Sequence, residues 1–182
     1  MTTFDSAFRR TVGIEGKYSN NPADSGGETM YGITAALARA YGYKGAMRDL
    51  PLATAKDIYL LEFWTPLKLN AIDALGYSAV AIELFDSAVN CGRPAAGKWL
   101  QIALNALNNE GKLYPEVSED GNIGPATLSA LTGYAANRKG NGQLVLLRAL
   151  NCLQGAFYID LTRKRQKDEA FVFGWLANRV EV

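Results

Sequence analysis

The chain has 182 residues, 48% of them hydrophobic and 20% charged, with 19 Lys and Arg against 18 Asp and Glu. A net charge of +1 provides no electrostatic footprint for nucleic acid, and the composition is that of a globular chain long enough to bury a core. Histidine is absent, which excludes Ser-His-Asp and Cys-His catalysis, argues against a zinc enzyme, and leaves acid–base work to carboxylates, Tyr, Lys or Cys.

Met1 to Asp5 carries no charged region followed by an apolar run, and Thr11 to Glu15 is too short and polar for a secretory signal. The expectation is a chain made in the cytoplasm without a signal peptide. Phe4, Phe8, Thr11, Val12 and Glu15 recur at the spacing of one helical face. That phase aims Glu15 inward at the C-terminal end of the helix, where desolvation and the helix dipole both raise a carboxyl pKa. Residues 16–33 read as a loop with a small hairpin, punctuated by Gly26-Gly27 and Gly32. Thr34 then looks like the N-cap of a short helix over 35–41. Pro51, or Leu50 before it, opens a helix carrying Leu52, Ala55, Ile58, Tyr59, Glu62 and Phe63, stopped by Trp64 and Pro66.

Gly76 begins the next helix, with Tyr77, Ala81, Leu84, Phe85 and Ala88 on one face and Asp86 and Asn90 on a neighbouring one. Residues 94–109 read as another helix, with Trp99 and Ile102 inward. After a polar stretch, Asp120-Gly121-Asn122-Ile123-Gly124-Pro125 forms a glycine turn into a helix with Pro at its first position. Residues 137–142 are a break. From Gln143 to about Asp168 the chain is helical, and its first half is apolar nearly all round, which predicts a place in the centre of the core. Phe171, Phe173, Trp175 and Leu176 are expected to close the chain against that core. No stretch approaches the roughly 20 apolar residues of a membrane span. Cys91 and Cys152 lack metal-site spacing and read as buried free thiols, or a single bridge in an oxidising compartment. The fold class is mainly α, seven or eight helices with little sheet.

Cleaving a glycosidic bond needs a carboxylic acid still protonated near neutral pH, and a second group on the other face of the sugar. Glu15 has the environment for the first role. Asp24, in a polar loop, is placed to stay ionised and take the second, with Thr29 orienting water. The bland alternatives are a solvated Glu15 and an Asp24 that only caps a turn.

The stretch Glu15-Gly16-x-Tyr18-x-Asn20-x-Pro22-x-Asp24-x-Gly26-Gly27-x-Thr29-x-x-Gly32-Ile33-Thr34 closely resembles the signature of glycoside hydrolase family 108. These are lysozyme-like N-acetylmuramidases of phage and prophage lysis cassettes. The similarity continues through Tyr59-x-x-x-Phe63-Trp64-x-Pro66-Leu67 and Phe85-Asp86-x-Ala88-Val89-Asn90-x-Gly92. Lys17 and Asn21 depart from the usual pattern without touching the acid or its partner. The resemblance implies a lysozyme-like helical fold with a small hairpin at the active site, and a hydrolase of the β-1,4 bond between N-acetylmuramic acid and N-acetylglucosamine. It implies Glu15 as the acid, with Asp24 and Thr29 following as in the phage-type lysozymes.

Around them, Tyr18, Asn20 and Tyr31 are candidates for substrate contact. Trp64 is a candidate to stack on a sugar ring at a cleft wall, core packing is at least as good a reading for Trp99 and Trp175, and Asp86 and Asn90 either bind substrate or brace the loop. Asp120-Gly121-x-Ile123-Gly124-Pro125-x-Thr127 is similar to helical cell-wall-binding modules, and it is equally a helix-start turn. The expected division is a catalytic lobe over 1–92 and a peptidoglycan-binding lobe over 93–182, sharing one core. The expected partner is the peptidoglycan glycan strand, with no cofactor, no metal, no nucleic acid and no membrane insertion. A monomer is favoured, released to the cell wall through a holin-type pore. The rivals are a lytic transglycosylase and a non-catalytic wall-binding or secretion-accessory protein.

Overall fold

Thr2 and Asp5 open the chain with reciprocal hydrogen bonds, Asp5 N to Thr2 Oγ1 (3.1 Å) and Thr2 N to Asp5 Oδ2 (2.8 Å). They start α1 (Thr3–Thr11) in the computed structural model, which describes residues 1–13, 18–20 and 27–180. Helix α1 ends at Thr11, with Val12 as cap and Gly13 left-handed at φ 77°. The helical phase linking Phe4 and Phe8 to Glu15 is therefore interrupted at Gly13, short of where the spacing alone carried it. The reason is local, because a glycine at positive φ costs nothing and ends the ladder.

The chain forms two compact units, Met1–Pro66 and Leu67–Val182. In the first, β1 (Thr29–Met30) and β2 (Ile33–Thr34) make an antiparallel hairpin. Thr34 Oγ1 then accepts from Leu37 N at 3.2 Å and caps α2 (Ala35–Ala40). A 3-10 turn (Met47–Asp49) leads to α3 (Leu52–Tyr59), entered from Pro51 as the sequence suggests. Residues Leu60–Trp64 continue α3 as a π-helical turn, closed by Thr65 N donating to Leu60 O at 2.9 Å. This wider turn brings Trp64 back toward the apolar side of α3. Phe4, Phe8, Tyr59 and Trp64 form the aromatic core, with Trp64 edge-on to Phe4 at 5.3 Å and Phe8 edge-on to Tyr59 at 5.4 Å.

The second unit begins with α4 (Leu69–Ala74), which sequence reading missed because six residues are too few to display a period. Then come α5 (Ser78–Cys91), α6 (Arg93–Leu107), α7 (Pro125–Asn137), α8 (Gly142–Lys164) and α9 (Glu169–Arg179). Helix α5 is the hub, packed on α4, α6 and α8. It buries Val80, Ala81, Leu84, Phe85 and Ala88 completely. The described residues thus hold nine α-helices and one two-stranded sheet, and the protein is mainly α-helical with a small hairpin near its N-terminus.

Two expectations about this unit are corrected. Helix α8 is not surrounded by core. Leu146, Leu150, Asn151, Gln154 and Tyr158 face inward, while Leu144, Val145 and Ile159 are 44%, 40% and 52% exposed. One face suffices to cover α5 and α6, so apolar residues on the other face stay outside. At 23 residues, α8 also has the length and composition to cross a membrane, contrary to the sequence expectation, although part of it is buried here. Helix α9 does not close the chain with its phenylalanines, since Phe171 and Phe173 are 59% and 83% exposed. Its contacts with α8 run through Trp175 on Tyr158 (5.3 Å), and through Leu176 and the following Val180 beside Gly155.

Candidate active site

The hairpin turns on Tyr31 (φ 54°) and Gly32 (φ 74°). Two successive positive φ angles are what a two-residue turn needs to match the twist of its strands. Tyr59 Oη donates to Tyr31 O at 3.1 Å, and a Cβ on Gly32 would lie 2.7 Å from that hydroxyl. Position 32 thus excludes a side chain on two counts. Burial pushes the Tyr59 hydroxyl up to about 12.

Thr29 sits at the middle of this small sheet. It opposes Thr34 across the hairpin, and on its other side it exchanges both main-chain bonds with Ser19: Ser19 N to Thr29 O at 3.0 Å and Thr29 N to Ser19 O at 2.8 Å. Residues 19 and 29 are thereby paired directly. Beside this pair, Tyr18 Oη donates to Glu28 Oε1 at 2.6 Å, and the Arg48 guanidinium lies 5.5 Å from the Tyr18 ring centroid. Glu28 and Arg48 were not anticipated. A carboxylate immediately before Thr29 was visible in the sequence, but its tyrosine partner lies across a loop and only pairing brings the two together.

Glu15 and Asp24 lie outside the described residues, as does the separation of their carboxylates. Tyr18, Thr29 and Tyr31 gather at the hairpin, each half-buried, and Asn20 is exposed at its edge. The sugar-stacking expectation for Trp64 is corrected: it is 1% exposed and packed edge-on to Phe4, which leaves no ring face for a sugar. Asp86 and Asn90 belong to α5 in the second unit. Asp86 is buried, with Oδ1 accepting from Arg179 Nη1 at 3.0 Å and Oδ2 from Gln154 Nε2 at 3.3 Å. Asn90 is exposed and donates to the Asp86 carbonyl at 2.8 Å.

The glycine turn before α7 is held by one side chain. Buried Gln101 donates to Asp120 Oδ1 (2.9 Å), Asn122 O (3.0 Å) and Thr127 Oγ1 (3.2 Å), and accepts from Gly121 N (2.7 Å). A Cβ on Gly97 would lie 2.0 Å from Gly121 O, and one on Gly121 2.7 Å from Pro94 O. The motif's glycine and polar groups therefore serve a close approach between the turn and the first part of α6.

Comparison with known families matches the Glycosyl hydrolase 108 model to residues 8–92 and the Predicted Peptidoglycan domain model to residues 95–180. Among curated proteins, none matches the chain. A solved structure, that of Brucella abortus SagA, is similar over 96% of this chain and 95% of that one, at 24% identity and a TM-score of 0.56. That likeness is one of fold.

Proposed function

We propose, for a chain that belongs through residues 8–92 to the glycosyl hydrolase 108 family and through residues 95–180 to the peptidoglycan domain family, that it is a muramidase hydrolysing the β-1,4 bond between N-acetylmuramic acid and N-acetylglucosamine. The observation that carries the reading is the first family match, whose span contains Glu15, Asp24 and Thr29 together. Glu15 is the general acid that protonates the leaving oxygen. Asp24 on the opposite face stabilises the oxocarbenium-like transition state or activates water, with the Thr29 hydroxyl orienting that water. The pairing of Thr29 with both Ser19 and Thr34 supports its part in this assignment, because a water-orienting hydroxyl needs a fixed position.

Glu15→Gln tests it. Turbidity clearance of purified sacculi should fall by roughly two orders of magnitude or more, in line with loss of a general acid, while the thermal melt and sedimentation with sacculi stay as in the wild type. Unchanged clearance would point to a wall-binding protein without this chemistry. Products ending in 1,6-anhydromuramic acid would point to a transglycosylase. In the cell, the same reading has the enzyme reach the wall after release through a holin-type pore. Expression without a holin should leave culture density intact, and lysis in that arm would contradict the release route.

A further inference from the structure

The second unit holds a cavity of about 270 Å³ where the end of α5 meets α8 and α9. Asn90, Phe157, Tyr158, Arg165, Trp175 and Arg179 line it. The volume is near the lower end of the roughly 300–1,000 Å³ of small-molecule sites, enough for one terminal residue of a longer ligand.

The Tyr158 ring forms part of the wall, while its buried hydroxyl faces the Cys91 thiol. Arg179 is held by Asp86 (3.0 Å) and Arg165 by Asp168, whose Oδ2 lies 2.8 Å from Arg165 Nε. Each pair engages one edge of its guanidinium and leaves other N–H groups over, so the aspartates act as fixed rests for planar donors. Asp86 accepts a hydrogen bond from Arg179, whereas Asp168 is ion-paired with Arg165. The polar part of the lining is therefore two guanidinium groups and the Asn90 amide, set between aromatic side chains and Leu161. Sugar hydroxyls donate as well as accept and would leave hydrogens unanswered there. A carboxylate only accepts, and guanidinium groups match it in pairs.

We propose that this cavity binds the carboxylate terminus of a peptidoglycan stem peptide, with Arg165 and Arg179 on the carboxylate, Asn90 donating a further hydrogen bond, and Phe157 and Trp175 flanking the side chain. The proposal rests on the wall-degrading reading and adds what the second half of the chain recognises. The glycan would be cut by one unit while the other holds the peptide branch.

The test is calorimetry and amide chemical-shift mapping of the full chain with the tripeptide L-Ala-γ-D-Glu-diaminopimelate, its fully amidated form, and N-acetylglucosamine trimer. Saturable tripeptide binding is expected, with shifts at Asn90, Phe157 and Trp175 and affinity roughly tenfold or more lower for the amidated peptide. Arg165→Gln should weaken binding by a similar factor with the melt retained. Should that variant fail to fold, Asn90→Ala and the amidated ligand decide alone, since Asn90 is exposed and its loss removes one donor. No saturable binding, equal affinity for acid and amide, or displacement of the tripeptide by the sugar trimer would overturn the assignment. Sacculus clearance is measured in parallel. Clearance without tripeptide binding sinks this site only, whereas tripeptide binding without clearance sinks the hydrolase.

Discussion

Gly32 and Tyr59 show how a single contact holds the hairpin turn. The Tyr59 hydroxyl lies where a Cβ at position 32 would go, and it braces the turn through Tyr31 O. Gly32→Ala should cost about 1–3 kcal/mol in urea denaturation, from left-handed strain plus the clash. Tyr59→Phe removes the hydroxyl and loses about 1 kcal/mol of hydrogen bond. Combining the two should cost less than their sum, because the obstructing atom is gone, and a double-mutant cycle reads that coupling. Tyr59 also sets an alkaline limit. Its pKa rises from 10.0 to about 12 on folding, so the folded state keeps a proton the unfolded state has released. Stability is unaffected below pH 10 and falls between pH 10 and 12. Tyr114, likewise raised to about 12 by burial, adds to the same slope. Denaturation midpoints across that window should fall less steeply in Tyr59→Phe than in the wild type.

Among the elements, the turn before α7 and helix α8 carry the instructive cases. Gln101 satisfies four groups of the Asp120–Thr127 turn. Replacing it with Leu leaves buried polar atoms without partners, and should lower stability by about 1–3 kcal/mol or more. Binding of the tripeptide to surviving folded protein should be unchanged, since Gln101 does not line the α5–α8–α9 cavity. Helix α8 displays Cys152 on its exposed side, whereas Cys91 at the end of α5 is partly buried and pushed up to about 11 by desolvation. Both thiols are free, yet neither is fully buried as the sequence suggested. A raised pKa lowers the thiolate fraction, so thiol titration at pH 8 should show one fast cysteine and one that reacts only on unfolding.

At the scale of the whole molecule, sequence families and packing divide the chain differently. The first family span runs to residue 92 and so includes α5. The compact units part at Pro66, and α5 packs with α6 and α8. Its buried Asp86 pairs with Arg179, in the last turn of α9. A fragment of residues 1–92 would strip α6, α8 and α9 from α5 and expose Leu84 and Phe85, each fully buried in the full chain, at about 1.5–3 kcal/mol of lost burial per side chain. That fragment is expected to aggregate or melt without cooperativity, with calorimetry as the check. A cooperative melt for 1–92 would show that α5 needs none of these partners.

Much of the architecture was legible from local rules. Apolar spacing, Thr34 as a cap, Pro51 and Pro125 at helix starts, and glycines at positive φ announce helices and turns because each acts within a few residues. The run from Glu15 to Thr34 likewise carried the family resemblance, because it holds several residue types at set intervals within the span matched to the glycosyl hydrolase 108 family. What only the tertiary structure decided involves partners distant along the chain. Tyr59 reaches Tyr31, Gln101 reaches Asp120, and Arg179 reaches Asp86 across 93 residues. Whether an apolar residue is buried was decided there too. Trp64 went inward through a π-helical turn, and Phe173 and Ile159 stayed outside because the faces opposite them have no neighbour within the described fold. Hydrophobicity states what burial would gain, but the packing of other elements determines which faces are covered.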